Sequence, residues 1–266
     1  MHRSILALSC VAVLGVAGAS AQTVRPSKEI AAAVASPART PANRARDAYR
    51  HPAETLAFFG IKPTQTVVEF IPGGGWYTEI LAPMLKGRGR YVAFVPTTQA
   101  ERLRTTLSGK AALYGEPSVQ TIDFKTGAST MPAGTADVVV TFRNVHNLLM
   151  HDDPAVAARV FAAFHAMLKP GGVLGVVDHR LPEAMDAARE KTSGYLKRST
   201  IVRLAQNAGF KLAGESEINA NPKDTHDHPE GVWTLPPTYR LKDVDRAKYA
   251  AIGESDRLML KFVKVR

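Results

Sequence analysis

The chain has 266 residues, with 34 Lys and Arg against 24 Asp and Glu, and a single cysteine. A hydrophobic fraction of 45% is too high for a disordered chain, and one cysteine is too few for a disulfide scaffold. The length allows one large domain or two small ones, and no apolar run reaches the roughly 18–20 residues of a membrane-spanning helix.

The N-terminus reads as an export signal. Arg3 supplies a short positive region, Ile5 to Gly18 an apolar stretch, and Ala19-Ser20-Ala21 a cleavage site of small residues. Residues 1–21 are thus predicted to be removed, leaving a mature chain that begins at Gln22. A buried N-terminal helix is the alternative reading. Too few apolar residues precede Cys10 for it to be a lipid-attachment site. The mature chain has no cysteine, which excludes thiolate nucleophiles, Cys-ligated zinc, iron–sulfur clusters and disulfides. It is expected in the periplasm or outside the cell, with no integral membrane segment.

Loss of Arg3 takes the net charge from +10 to +9. Such a charge attracts anionic partners, among them lipid headgroups, wall polymers and acidic substrates. The basic residues are spread along the chain, however, which suits plain solubility better. No dense Lys/Arg run and no basic–aromatic interleaving marks a nucleic-acid binder.

Residues 22–45, rich in Ala, Pro and Arg, read as a flexible tether with one helical turn near Ser27–Ala35. The domain is predicted to span residues 46–266. Thr66 to Ile71 is a β-branched run that ends in Pro72-Gly73-Gly74-Gly75, and a helix follows from about Trp76 to Lys86. Tyr91–Val95 is a second strand. The next helix runs from Thr98 to about Ala112, with Thr98 and Glu101 spaced as a capping box. Val119–Ile122 is a third strand. Ala136–Phe142 has the unbroken apolar centre of a buried parallel strand.

Asp153-Pro154 caps a helix whose Val156, Val160, Phe164 and Met167 recur at helical spacing. Lys169-Pro-Gly-Gly172 turns it into strand Val173–Val177. Ser199 caps a helix that stops at Gly209, and Phe210–Ile218 is a sixth strand. A Pro-rich excursion over 219–254 reads as a lid. Leu258–Lys264 is the seventh strand. The alternation predicts a three-layer α/β sandwich on a seven-stranded, mainly parallel sheet, with the last strand inserted antiparallel as a hairpin.

The glycine loop lies between a strand and a helix, where open α/β sheets bind nucleotides. Its glycines let backbone approach a ligand closely, and the helix beyond offers free N–H groups. Glu69, at the strand's end, is placed to bind an amine or a hydroxyl, or is a carboxylate satisfied within a tight turn.

The strand pattern, the acid before the glycine loop, the Lys169-Pro-Gly-Gly172 turn and the Ala208-Gly209-Phe210 helix end resemble class I S-adenosylmethionine-dependent methyltransferases. Four segments resemble more narrowly a poorly characterised family of exported methyltransferases. They are the stretches 51–60, 68–81 (with Pro72-Gly-Gly-Gly-Trp-Tyr77), 141–147 (with Phe142-Arg-Asn-Val-His-Asn147) and 177–180. The resemblance runs from about residue 45 onward. It implies S-adenosylmethionine as cofactor, with contacts at Glu69, Pro72, Gly73, Gly74, Gly75 and Asn144. Asp123 would meet the adenine amino group. Two positions depart from the family pattern. Ile71 stands where the loop's first glycine belongs. Strand two ends Phe94-Val95-Pro96, without the acid that holds the ribose diol, so Gln99 or Glu101 would have to substitute.

Arg143, Asn144, His146 and Asn147 follow strand four on the ligand side. His146 is the candidate general base, because an imidazole titrates near neutrality. Asn144 or Asn147 would orient substrate, and Arg143 would hold a carboxylate or phosphate. A polar cap on backbone carbonyls is the structural alternative. Asp178-His179-Arg180 ends strand five beside them, so His179 either completes the pocket or belongs to a surface ion cluster. Tyr195 and Arg198 would flank the opening, and His51 would lie over the cleft. Asp224, His226 and His228 could ligate a divalent metal, but a polar loop favours a solvated cluster, and no metal is assigned. His165 reads as a plain helix histidine, and Asp256-Arg257 as a local ion pair.

The reading that results is transfer of a methyl group to a small or envelope-associated acceptor, in which an anionic group is compatible with the charge. The missing strand-two acid and the export signal favour an alternative on the same fold. That is a cofactor-independent lyase, isomerase or hydrolase using histidine acid–base chemistry. A non-enzymatic anion-binding module is the third option. No Gly-x-Ser-x-Gly elbow is present to suggest a serine hydrolase.

Overall fold

The computed structural model describes residues 25–265, so the predicted signal peptide lies outside the described residues. Eight strands form one sheet: β1 (Thr66–Phe70), β2 (Arg90–Pro96), β3 (Ser118–Ile122), β4 (Ala136–Phe142), β5 (Leu168–Leu181), β6 (Leu196–Lys197), β7 (Phe210–Ser216) and β8 (Arg257–Lys264). Seven of them run in the order β3-β2-β1-β4-β5-β8-β7, and the two-residue β6 pairs with the end of β5. The pairs among β1 to β5 are parallel. β8 is antiparallel to both β5 and β7, as the sequence suggested.

The central strands are mostly apolar because helices cover both faces. Helices Val156–Met167 and Arg198–Asn207 bury one face over Phe70, Phe94, Val139 and Leu260. Helices Pro52–Phe59 and Thr78–Leu85 bury the other over Val67, Val138 and Met259. Gly175 allows this second layer its close approach, since a Cβ there would sit 2.7 Å from the Phe59 ring.

Several elements differ from the sequence reading. The segment 22–45, expected to be a flexible tether with one helical turn near Ser27–Ala35, carries that helix as Lys28–Ala35 and a second, Pro41–Arg44. It is packed: Ile30 is buried, and the fully buried Arg39 clamps Asp47 with two bonds of 2.7 and 2.8 Å. Asn43 O accepts from the Trp76 indole at 2.8 Å. The helix expected over 98–112 breaks at Gly109 into Ala100–Ser108 and Ala111–Tyr114. Its capping box does not form, and Glu101 turns to Arg104 instead. Ser199 does not cap its helix. Its hydroxyl donates to Glu183. A short helix, Val145–Leu149, follows β4 directly. Among the described residues no helix is long and apolar enough to cross a membrane.

The order places β1 between β2 and β4, so connections leave β1 and β4 in opposite directions. A crevice opens at the carboxyl ends of these two strands. The glycine loop enters it from β1, and residues 143–147 enter it from β4.

Candidate active site

Two backbone kinks shape the crevice. Ile71 (φ 48°) and Arg143 (φ 62°) both adopt the left-handed conformation that disfavours side chains, and a β-branched residue such as Ile71 most of all. Each kink is held by a ladder bond, from Ile71 N–H to Phe94 O at 2.9 Å and from Arg143 N–H to Val177 O at 2.7 Å. The buried Asn144 amide ties the two together, its nitrogen lying 3.0–3.2 Å from the carbonyls of Phe70, Ile71 and Phe142. Asn144 is thus a clamp between β1 and β4.

Beyond the clamp, Asp178 organises the polar side chains. Its fully buried carboxylate accepts four N–H groups. Oδ2 takes the backbone amides of Val145 (2.8 Å) and His146 (3.2 Å). Oδ1 takes the amide of His179 (2.8 Å) and Nδ1 of His146 (2.8 Å). A carboxylate on Nδ1 fixes the proton there and leaves His146 Nε2 as the basic nitrogen. No protein group occupies that atom among the described residues. His179 lies beside it, ring centroids 5.2 Å apart, with Nδ1 held 2.5 Å from Ser255 Oγ. Burial, then the nearby His146 and Arg257, pushes the His179 pKa well below its ordinary value, so this ring is neutral at pH 7.

Two cavities flank the glycine loop. The smaller, about 330 Å³, is polar. His146, His179, Arg143, Asn144 and Asn147 line it together with Pro72, Gly73 and Gly74. Sequence reasoning missed other parts of its wall, among them Arg46, Ser255 and Arg257, while Trp233 comes from the excursion read as a lid. Trp233 covers His146, with ring centroids 6.1 Å apart. The larger cavity, about 640 Å³, runs from Pro72 to Gly75 along Val95, Gln99, Leu103 and Tyr114.

Other expected residues lie elsewhere. Glu69 lines neither cavity. Its buried carboxyl accepts from Thr78 Oγ1 (2.9 Å) and Tyr91 OH (2.7 Å), and burial, against these two bonds, raises its pKa to about 7. Asp123 closes a turn by accepting from Lys125 N–H at 2.8 Å and lines neither cavity. His51 caps a helix and contacts Asn219 rather than the cleft. Tyr195 is fully buried and bonds Asp224, while Arg198 pairs with Glu215 at the surface, so neither flanks the opening. Asp256 does not pair with Arg257. It meets Arg180 and His226, and Arg257 binds Glu254. His165 packs its ring against Phe210, as a helix histidine should.

His228 and His226 are each spent on a carboxylate, Asp224 and Asp256 respectively. The described residues do bring three metal-capable side chains together at His146, Asp178 and His179, within 4.8 Å of one another. The arginines in the same wall oppose a bare dication there.

Two features of the crevice are compatible with S-adenosylmethionine. A Cβ added at Gly73 or Gly74 would find nothing within 4 Å, so the loop backbone is bare to a ligand. Gln99 lines the larger cavity just beyond β2. The exposed Glu101 does not line it.

No protein-family model and no curated protein sequence matches the chain. Solved structures do. One is an S-adenosylmethionine-dependent methyltransferase from Aquifex aeolicus, at a TM-score of 0.55 and 16% identity over 83% of this chain and 93% of that one. Another is an S-adenosylmethionine-dependent methyltransferase from Methanosarcina mazei, at 0.50 and 13% identity over 77% of this chain and 94% of that one. The chain therefore has the Rossmann-like fold of class I methyltransferases.

Proposed function

We propose that this protein is an exported methyltransferase that moves a methyl group from S-adenosylmethionine to a small or envelope-associated acceptor. The observation that carries this reading is the Asp178–His146 pair, whose imidazole, bonded through Nδ1, lines a cavity that the glycine loop also lines. The backbone at Gly73 and Gly74, with Gln99, would hold the cofactor, which supplies an electrophilic methyl group when bound.

His146 Nε2 takes the proton from the acceptor's O–H or N–H as that atom becomes nucleophilic. Asp178 holds the ring in position and stabilises the imidazolium that results. Trp233 and the Pro236-Pro237 segment form one side of the cavity and limit its exposure to solvent. The proton leaves His146 to solvent after the product departs.

A second reading is favoured by Glu69, which is committed to Thr78 and Tyr91 where the family uses an acid for the cofactor. It is cofactor-free acid–base chemistry at the same histidine.

Calorimetric titration of the mature chain with S-adenosylmethionine and S-adenosylhomocysteine separates the two. Micromolar binding is expected. A folded protein that binds neither ligand at millimolar concentration sinks methyl transfer and leaves the second reading. His146→Ala should keep cofactor affinity and lose about 100-fold or more in turnover of an identified acceptor. Undiminished turnover would remove His146 from the mechanism.

A further inference from the structure

The polar cavity carries more positive charge than the protein neutralises. Arg46, Arg143 and Arg257 line it, and Arg50 joins Arg143 and Arg257 around a void of about 10 Å³ behind it. One carboxylate, Glu254, bonds to Arg46, Arg50 and Arg257 at once. Burial works to raise its pKa, but Arg257 and Arg50, with Arg46, hold it down to about 2.

Arg143 has no hydrogen-bonded acceptor for its guanidinium among the described residues. Others in the group are only partly satisfied. Nη2 of Arg46, Nη2 of Arg50 and Nε of Arg257 are buried without an acceptor. Arg257 and Arg50 are 2% and 3% exposed. Burial and the neighbouring Arg143 lower the Arg50 pKa to about 8, and burial and Arg257 lower that of Arg143 to about 10. Like charges are crowded here with too few acceptors, and a buried donor left unpaired is costly.

The geometry points to an oxyanion subsite in this cavity. The acceptor is a small molecule bearing a carboxylate or a phosphate, which Arg143 binds with Arg46 and Arg257 while its nucleophilic O–H or N–H faces His146. Arg143 is placed for this because its kinked backbone brings it into the same wall as His146, three residues on. A planar guanidinium with free N–H groups suits either oxyanion. The reaction assigned to the acceptor rests on the methyl-transfer reading, but the anion site does not.

Both tryptophans of the chain, Trp76 and Trp233, line the cavity, so intrinsic fluorescence reads its occupancy. The mature protein is titrated with inorganic phosphate, with benzoate, and with benzamide as the neutral counterpart of benzoate. A saturable response to at least one anion and none to benzamide is expected, and the preferred anion identifies the oxyanion. Arg143→Gln should weaken that binding about tenfold or more, and Arg143→Lys should keep part of it. If thermal melting shows Arg143→Gln to be unfolded, Arg46→Gln at the rim carries the same expectation.

No saturable response to either anion up to about 10 mM, or equal binding by the folded variant, overturns the subsite. The titration is repeated with S-adenosylhomocysteine at saturation. An anion that still binds belongs to the acceptor. An anion that is expelled means that the arginines hold the cofactor's own carboxylate, which overturns the assignment to the acceptor. Failure of S-adenosylhomocysteine to bind removes methyl transfer and leaves the anion titration standing, so the two readings fail separately.

Discussion

Glu69 stands at the strand end where the resemblance implies a cofactor contact, yet β2 supplies Tyr91 and the following helix supplies Thr78, and their hydroxyls claim it. The sequence showed the acid and the loop. It could not show that two hydroxyls from other elements would reach it first. This has a consequence with a definite sign. The folded pKa, about 7, stands above the ordinary value of 4.5. Such a carboxyl favours folding most below pH 4.5, and that advantage is lost as pH rises through 7. Glu69→Gln is uncharged throughout, so it should gain stability on the natural protein from pH 5 to pH 8, by up to about 3 kcal/mol. Urea unfolding at both pH values measures the difference, and a constant difference would show that Glu69 is not the titrating group. Cofactor affinity should be the same in the variant. His146 and Arg143 were legible because their place after β4 follows from the strand pattern alone. Arg46, Ser255 and Arg257 were not, because they reach the same pocket from opposite ends of the chain.

The excursion over 219–254 shows the same limit for an element. Its length and proline content marked it as a cover, and its histidines raised the thought of a metal. In the fold the segment is pinned through Asp224. That carboxylate accepts from Tyr195 OH (2.9 and 3.0 Å), His228 Nε2 (2.8 Å) and the amides of His226 (3.0 Å) and Asp256 (2.8 Å). Gly231 lets the segment press against its neighbour, since a Cβ there would lie 2.1 Å from Ser193 O. Val232, Trp233 and Pro236 to Thr238 become the pocket wall as a result. Asp224→Ala leaves four donors without their acceptor and should cost about 3 kcal/mol or more. Limited proteolysis should then cut first within 219–254, and an unchanged cleavage pattern would mean that Asp224 is not the pin. The strands were readable because buried parallel strands are unbroken apolar runs. The helical turn near Ser27–Ala35 was readable, but its packing against the domain was not, because an Ala-rich segment with one buried apolar anchor, Ile30, has the composition of a linker.

For the molecule as a whole, the N-terminal segment belongs to the body of the domain. Asn43 meets Trp76 and lines the polar cavity, and Thr40 N–H donates to the buried Glu79 carboxylate at 3.0 Å. A protein that starts at residue 46 should lose about 3 kcal/mol or more against one that starts at Gln22, from the exposed Ile30 site and the orphaned partners. Chemical unfolding of the two decides it, and equal stability would restore the segment to a tether.

β8 lies between β5 and β7, and its first residue, Arg257, and the turn before it, with Glu254 and Ser255, reach the site. During synthesis β7 therefore has no partner at its inner edge until β8 has been made. Until then Arg46 and Arg50 lack the Glu254 carboxylate and His179 lacks the Ser255 hydroxyl. A ribosome that stalls short of Glu254 releases a chain with an open sheet edge and half a pocket. Completion of the pocket thus arrives together with closure of the sheet, as one late event in the life of each molecule.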